Sequence, residues 1–229
     1  MPAPDDDVTL LVLHGLRLSS LATPEQVAAR WSIDADVVVA ELGRAAGEGW
    51  TRERSGRLSG WSLTAEGRVE GERRLAVELD ERRAAEVLRR AYLAFRPLNA
   101  GFLGLCTDWQ LRDDVEGPVP NDHLDVEYDR GVVERLAEVH DAITRTLVSV
   151  PDVLPRYASY APRMARALQR VRDNELDWFT KPVIDSYHTV WFELHEDLLA
   201  TLGLDRSTES AGDGVATADG REMEERSTT

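Results

Sequence analysis

Thr23-Pro24-Glu25-Gln26-Val27-Ala28-Ala29-Arg30-Trp31 opens with a complete helix start. Thr23 offers a capping oxygen, Pro24 fits the first helical position, and Gln26 closes a capping box three residues on. This helix is expected to run from Glu25 to Trp31. Ser32-Ile33 makes a short turn. Asp34 then caps a helix over about 35–47, with Val38, Leu42 and Ala45 or Ala46 on its inner face. Gly47 and Gly49 end it. Upstream, residues 8–21 are apolar over a length that suits a first helix.

Downstream the period changes from helix to strand. Trp50-Thr51-Arg52-Glu53-Arg54 and Leu58-Ser59-Gly60-Trp61-Ser62-Leu63 read as two short strands about a Ser55-Gly56-Arg57 tip. Thr64 caps the next helix, although Gly67 weakens its first turn. The charged run through Arg90 reads as a mostly solvated helix over 65–95, ending before Arg96-Pro97. Further helices are expected at 98–111, 126–149, 161–173 and 180–202, with a loop over 112–125 containing Gly117, Pro118 and Pro120. Pro151, Pro155, Pro162 and Pro182 punctuate them. From Asp205 onward the chain is polar and acidic and is expected to be disordered. The predicted fold class is mainly α: a winged helix-turn-helix domain (8–75), an α-helical domain (76–204) and an acidic tail (205–229).

The junction Trp61-Ser62-Leu63-Thr64-Ala65-Glu66-Gly67-Arg68 resembles the Leu-Thr-x-x-Gly link between wing and following helix in MarR-like and PadR-like regulators. With the helix begun by Thr23, the resemblance spans about 60 residues. It implies a ligand-responsive, DNA-binding transcription regulator. Two later stretches, Leu98 through Gln110 and Trp178-Phe179-Thr180-Lys181-Pro182, resemble helical extensions of actinobacterial winged-helix and pyruvate-phosphate-dikinase-like proteins. The phosphohistidine and nucleotide-binding signatures of the dikinase are not visible. An interaction or regulatory module without DNA binding, linked to pyruvate or phosphoenolpyruvate metabolism, is the alternative.

The chain of 229 residues carries a net charge of −15, which argues against a general nucleic-acid binder. The excess acid is unevenly placed. Residues 8–75 hold nine basic and nine acidic side chains, whereas 76–204 hold 15 basic and 23 acidic. Lys181 is the only lysine. The acidic start lacks the order of a signal peptide, and no apolar run has membrane-spanning length, so a cytoplasmic location without membrane contact is expected. Cys106, the only cysteine, lies in an apolar setting and reads as a small buried residue.

Arg52, Arg54 and Arg57 make the wing the best candidate for contact with double-stranded DNA, and strand alternation puts Arg52 and Arg54 on one side. Gln26, Arg30 and Arg44 are the other DNA-binding candidates. The third helix is a poor reader: it begins Asp34-Ala35-Asp36 and offers no Arg, Lys, Asn or Gln before Arg44. His188, Trp191 and His195 share one face of the last helix, and with Trp109 they are candidates for a small-molecule effector pocket. A core face of hydrogen-bonded histidines is the other reading, with Asp108 or Glu193 as partners. No nucleophile, phosphate-loop or zinc-protease signature is present, so neither an enzyme nor a cofactor or metal is expected. A homodimer is expected, with Leu75, Leu79, Val87 and Leu88 of the 65–95 helix supplying its surface.

Overall fold

A computed structural model describes residues 7–114 and 117–204. The protein is mainly helical, with two small two-stranded antiparallel sheets. Three helices come first: α1 (Val8–Ser19), α2 (Pro24–Trp31) and α3 (Ala35–Gly47). The hairpin of β1 (Thr51–Arg54) and β2 (Gly60–Leu63) follows, then α4 (Ala65–Glu81). The capping box at α2 is formed as read: Gln26 N–H donates to Thr23 Oγ1, and Thr23 N–H donates to Gln26 Oε1 at 2.8 Å. Leu11, Val12, Leu16, Val27, Trp31, Val38 and Leu42 make the core of this part. The Trp31 indole N–H donates to the Leu11 carbonyl at 2.8 Å and ties α2 to α1.

The second part is built on α5 (Ala85–Gln110), α6 (Val126–Leu147), α8 (Tyr160–Arg172) and α10 (Tyr187–Leu202). Shorter pieces connect them: a hairpin of β3 (Leu111–Asp114) and β4 (Gly117–Pro120), α7 (Val150–Val153), a 3-10 turn (Pro155–Ser159) and α9 (Asp177–Thr180). Helix α10 is wrapped by its neighbours. Tyr187, Val190, Trp191, Leu194, Leu198 and Leu199 are buried on it, and it packs against α4, α5, α8 and α1. The two parts are therefore joined through α10 and not by a linker alone.

Several expectations need correction. The helix expected over 65–95 breaks after Glu81, where Arg83 takes a left-handed φ of 51° and the Ala84 N–H closes the turn on the Leu79 carbonyl at 3.0 Å. Helix α5 then runs straight through Pro97, merging two expected helices. The carbonyl that Pro97 leaves without a donor belongs to Leu93, a residue on the exposed side where water can serve it. The loop expected over 112–125 contains the β3–β4 hairpin, whose prolines sit on a two-stranded ribbon with free edges. The apolar residues expected to form a dimer surface are consumed within the monomer: Leu75 and Leu88 are buried, and Leu79 and Val87 pack on the main core. The boundary placed after residue 75 falls inside α4. The tail, 205–229, lies outside the described residues. Among the described residues no helix is long and apolar enough to cross a membrane. Cys106 is buried, and burial pushes its thiol up to about 12.

Candidate functional site

The β1–β2 hairpin projects from the end of α3. Its register pairs Thr51 with Leu63, Arg52 with Ser62, Glu53 with Trp61 and Arg54 with Gly60. Paired residues share a face, so Arg52 and Arg54 lie together and Glu53 lies on the face of Trp61. Arg52, Arg54 and Arg57 are exposed, and Leu58 beside them is 74% exposed at the tip. Gln26 is exposed on α2, but its side chain is engaged in the capping box.

Helix α3 presents a different surface. Its buried stripe is Val38, Leu42 and Ala45, which leaves Asp36, Val37, Val39, Ala40 and Gly43 outward. None of these side chains can donate a hydrogen bond to a base edge. Arg44, at the far end of α3, is held by Glu41 through Nε at 2.9 Å and Nη2 at 2.5 Å, and it reaches Thr9 at 2.9 Å.

Arg30 is placed quite differently from a DNA contact. Both of its terminal nitrogens meet the Glu193 carboxylate of α10, Nη2 at 2.7 Å from Oε1, and Nη2 also donates to Ser19 Oγ at 2.9 Å. The pair is about nine-tenths buried. Arg30 is thus a bolt between α2 and α10. Arg30→Ala is expected to cost about 2 kcal/mol, the scale of hydrogen bonds to charged groups. Chemical denaturation checks this, and an unchanged midpoint would place Arg30 among the surface cations.

Behind that bolt lies a buried polar centre. Asp197 of α10 is fully buried and accepts from Arg156 Nη1 at 2.6 Å, from the Tyr160 hydroxyl at 2.8 Å and from the Thr201 hydroxyl at 3.0 Å. His14 of α1 brings Nε2 to 3.0 Å from the same carboxylate. Arg156 further donates to Glu78 of α4 at 3.1 Å and to Thr201 at 2.7 Å. Burial by itself would raise the Asp197 pKa. Arg156, His14 and the Tyr160 hydroxyl outweigh it and hold the carboxyl well below the usual range. His14 is held below the ordinary histidine value by burial, against the pull of Asp197.

His140 and His188 are lowered by burial as well. All three imidazoles accept protons more readily in the unfolded chain, whose histidines titrate near about 6.5. The unfolded state therefore binds more protons below that value, and stability falls as pH drops through it. The melting temperature is expected to be lower at pH 5.5 than at pH 7.5. A flat or rising profile over that interval would contradict the buried state of His14.

The four residues expected to wall an effector pocket do not meet in one cavity. Trp109 packs on Phe179 and His123, with ring centroids 4.7 and 4.5 Å away. Trp191 is wholly buried between Phe95 and Phe102, and its indole N–H donates to Asn99 Oδ1 at 2.9 Å. His195 is buried against Phe95. Only His188 reaches a cleft, where its ring packs at a tilt on Phe192, centroids 4.4 Å apart. Asp108 pairs with Arg135, and Glu193 pairs with Arg30 and Arg163. His14, Arg156, Arg163 and Asp197 were not anticipated. One signal pointed to the first: a lone histidine in the otherwise apolar 8–16 stretch needs a buried partner. Compared with known proteins, the chain matches no family model, no curated protein and no solved structure.

Proposed function

We propose that the chain is a ligand-responsive regulator whose α1–α4 segment is a winged helix that grips DNA through its hairpin. The observation that carries this reading is the hairpin itself, with Arg52, Arg54 and Arg57 exposed and without an ion-pair partner among the described residues. Arginines so placed suit phosphate oxygens or the minor groove. The outward face of α3 offers no base-reading donor, so affinity rests on the backbone and depends weakly on sequence. The effector half of the reading rests on α10, which touches α1 and α4 and carries Glu193 to Arg30 of α2. Arg54→Ala and Arg57→Ala should each weaken binding to every duplex by a similar factor while leaving the melting temperature unchanged. Fluorescence anisotropy with the full chain reads this, and unaltered affinity in the double variant would remove the hairpin from the interface.

One observation favours a second reading. Val37 and Val39 of α3 are 45% and 53% exposed, and a docking helix of another protein would cover them. In that case the chain is an interaction module, and Val37→Asp with Val39→Asp disrupts a protein complex. On the DNA reading the same pair of changes affects duplex binding only through added negative charge.

A further inference from the structure

A cleft of about 1480 Å3 separates the α1–α2 corner from the wall formed by the 3-10 turn, α8 and the start of α10. It is lined by six arginines and three carboxylates, in a protein whose net charge is −15. Five of its charged groups form one connected chain. Arg30 meets Glu193, and Glu193 Oε2 also accepts from Arg163 Nη2 at 2.6 Å. Arg163 in turn holds Asp185 through Nε at 3.1 Å and Nη2 at 2.5 Å. Arg166 ends the chain, 3.7 Å from Asp185 and more than half exposed. Three guanidiniums thus face two carboxylates, and Arg163 Nη1 has no hydrogen-bond partner among the described residues. His188 stands beside this chain, its imidazole held below the ordinary histidine value by burial, and Pro162 and Phe192 supply apolar wall.

Asp185 is the weak member. It is one-third exposed and sits in the turn that follows α9, two residues after Val183. Val183 has a φ of 65° and is 94% exposed, a left-handed conformation that a β-branched side chain rarely adopts. The open Arg166–Asp185 pair contributes little, so an incoming anion replaces Asp185 on Arg166 at small cost. On Arg163, which grips Asp185 through Nε and Nη2, the anion must offer an equivalent two-oxygen contact.

We propose that the cleft binds a small organic anion whose carboxylate or phosphate oxygens replace Asp185 on Arg163 and Arg166, beside His188. Guanidinium forks match both oxyanions in a bidentate manner, and Pro162 and Phe192 accept the ligand's carbon skeleton. The site deepens the effector half of the proposed function and rests on it. Because Arg163 also holds Glu193, and Glu193 holds Arg30, ligand binding acts on the bolt between α10 and α2.

The test uses the full chain, with inorganic phosphate, succinate and the neutral analogue succinamide as probes. At concentrations on the order of 10 mM, phosphate or succinate raises the melting temperature beyond sodium chloride of equal ionic strength, and succinamide does not. Calorimetric titration then finds affinity lowered about tenfold by Arg166→Gln and raised by Asp185→Asn, which removes the internal competitor. Both substitutions are at partly exposed positions, and each variant's own melting curve verifies its fold. The inference is overturned if neither anion exceeds the salt control, or if both variants bind the responding anion as the wild type does. Loss of the anion response with hairpin-dependent DNA binding intact removes this site alone; the reverse result removes the DNA reading alone.

Discussion

Asp197→Asn is expected to destabilise the protein by about 3–5 kcal/mol, the range found when one partner of a buried ion pair is removed. Such a loss is a large share of the roughly 5–15 kcal/mol that holds a typical domain folded. The cost arises because four groups are arranged around one carboxylate that cannot be rehydrated. Arg156, Tyr160 and Thr201 donate to Asp197, and His14 approaches its first oxygen. The asparagine keeps the volume but removes the charge. Arg156, only 2% exposed along its side chain, is then left with Glu78 as its ionic partner. Urea denaturation gives the loss directly. Arg156→Gln should be costly too, and the double variant should lose less than the sum of the two, since neither charge is then stranded. Strict additivity would mean that the two side chains do not interact, against the 2.6 Å contact between them.

Gly67→Ala is the second large effect, expected at about 3 kcal/mol by overpacking. A Cβ built on Gly67 would stand 1.9 Å from the Trp50 carbonyl oxygen and 2.7 Å from its carbon. The obstacle is backbone, which cannot rotate away as a side chain can. The same carbonyl accepts from the Thr64 N–H at 3.0 Å, and Thr64 Oγ1 donates to the Gly49 carbonyl at 2.7 Å. These contacts fasten β1 to the start of α4, so the substitution pries the hairpin off the helix. Gly43 on α3 is the control: no atom lies within 4 Å of its added Cβ, and Gly43→Ala should stabilise by about 0.5–1 kcal/mol. Equal effects of the two alanines in thermal melts would show that the close approach at Gly67 is not present.

The amino-terminal elements were legible because their signals are local. Thr23 with Gln26, and Thr64 before α4, state helix starts in four residues each, and both caps form as read. Gly67 was legible as a helix-weakening residue and as the glycine of the Leu-Thr-x-x-Gly junction, but the close approach behind it was not, since the carbonyl it admits comes from Trp50, beyond the hairpin. The break between α4 and α5 carries no glycine or proline. It rests on Ala84 being drawn into the core, a tertiary effect with no local mark. The bolt was the hardest to see. Arg30 and Glu193 stand 163 residues apart, and nothing in either neighbourhood distinguishes them from solvated charges. The face of α10 bearing His188, Trp191 and His195 was read from helical spacing alone, and its packing against Phe95 and Phe102, which makes most of it core, comes from a distant helix.

The proposed grip on DNA is tested most directly by the salt dependence of binding to a random-sequence duplex. Three phosphate contacts from Arg52, Arg54 and Arg57 predict that log K falls with log salt at a slope of about −2.7, and that replacing all three by alanine brings the slope close to zero. A wild-type slope near zero, or one that the triple substitution leaves unchanged, would contradict the account.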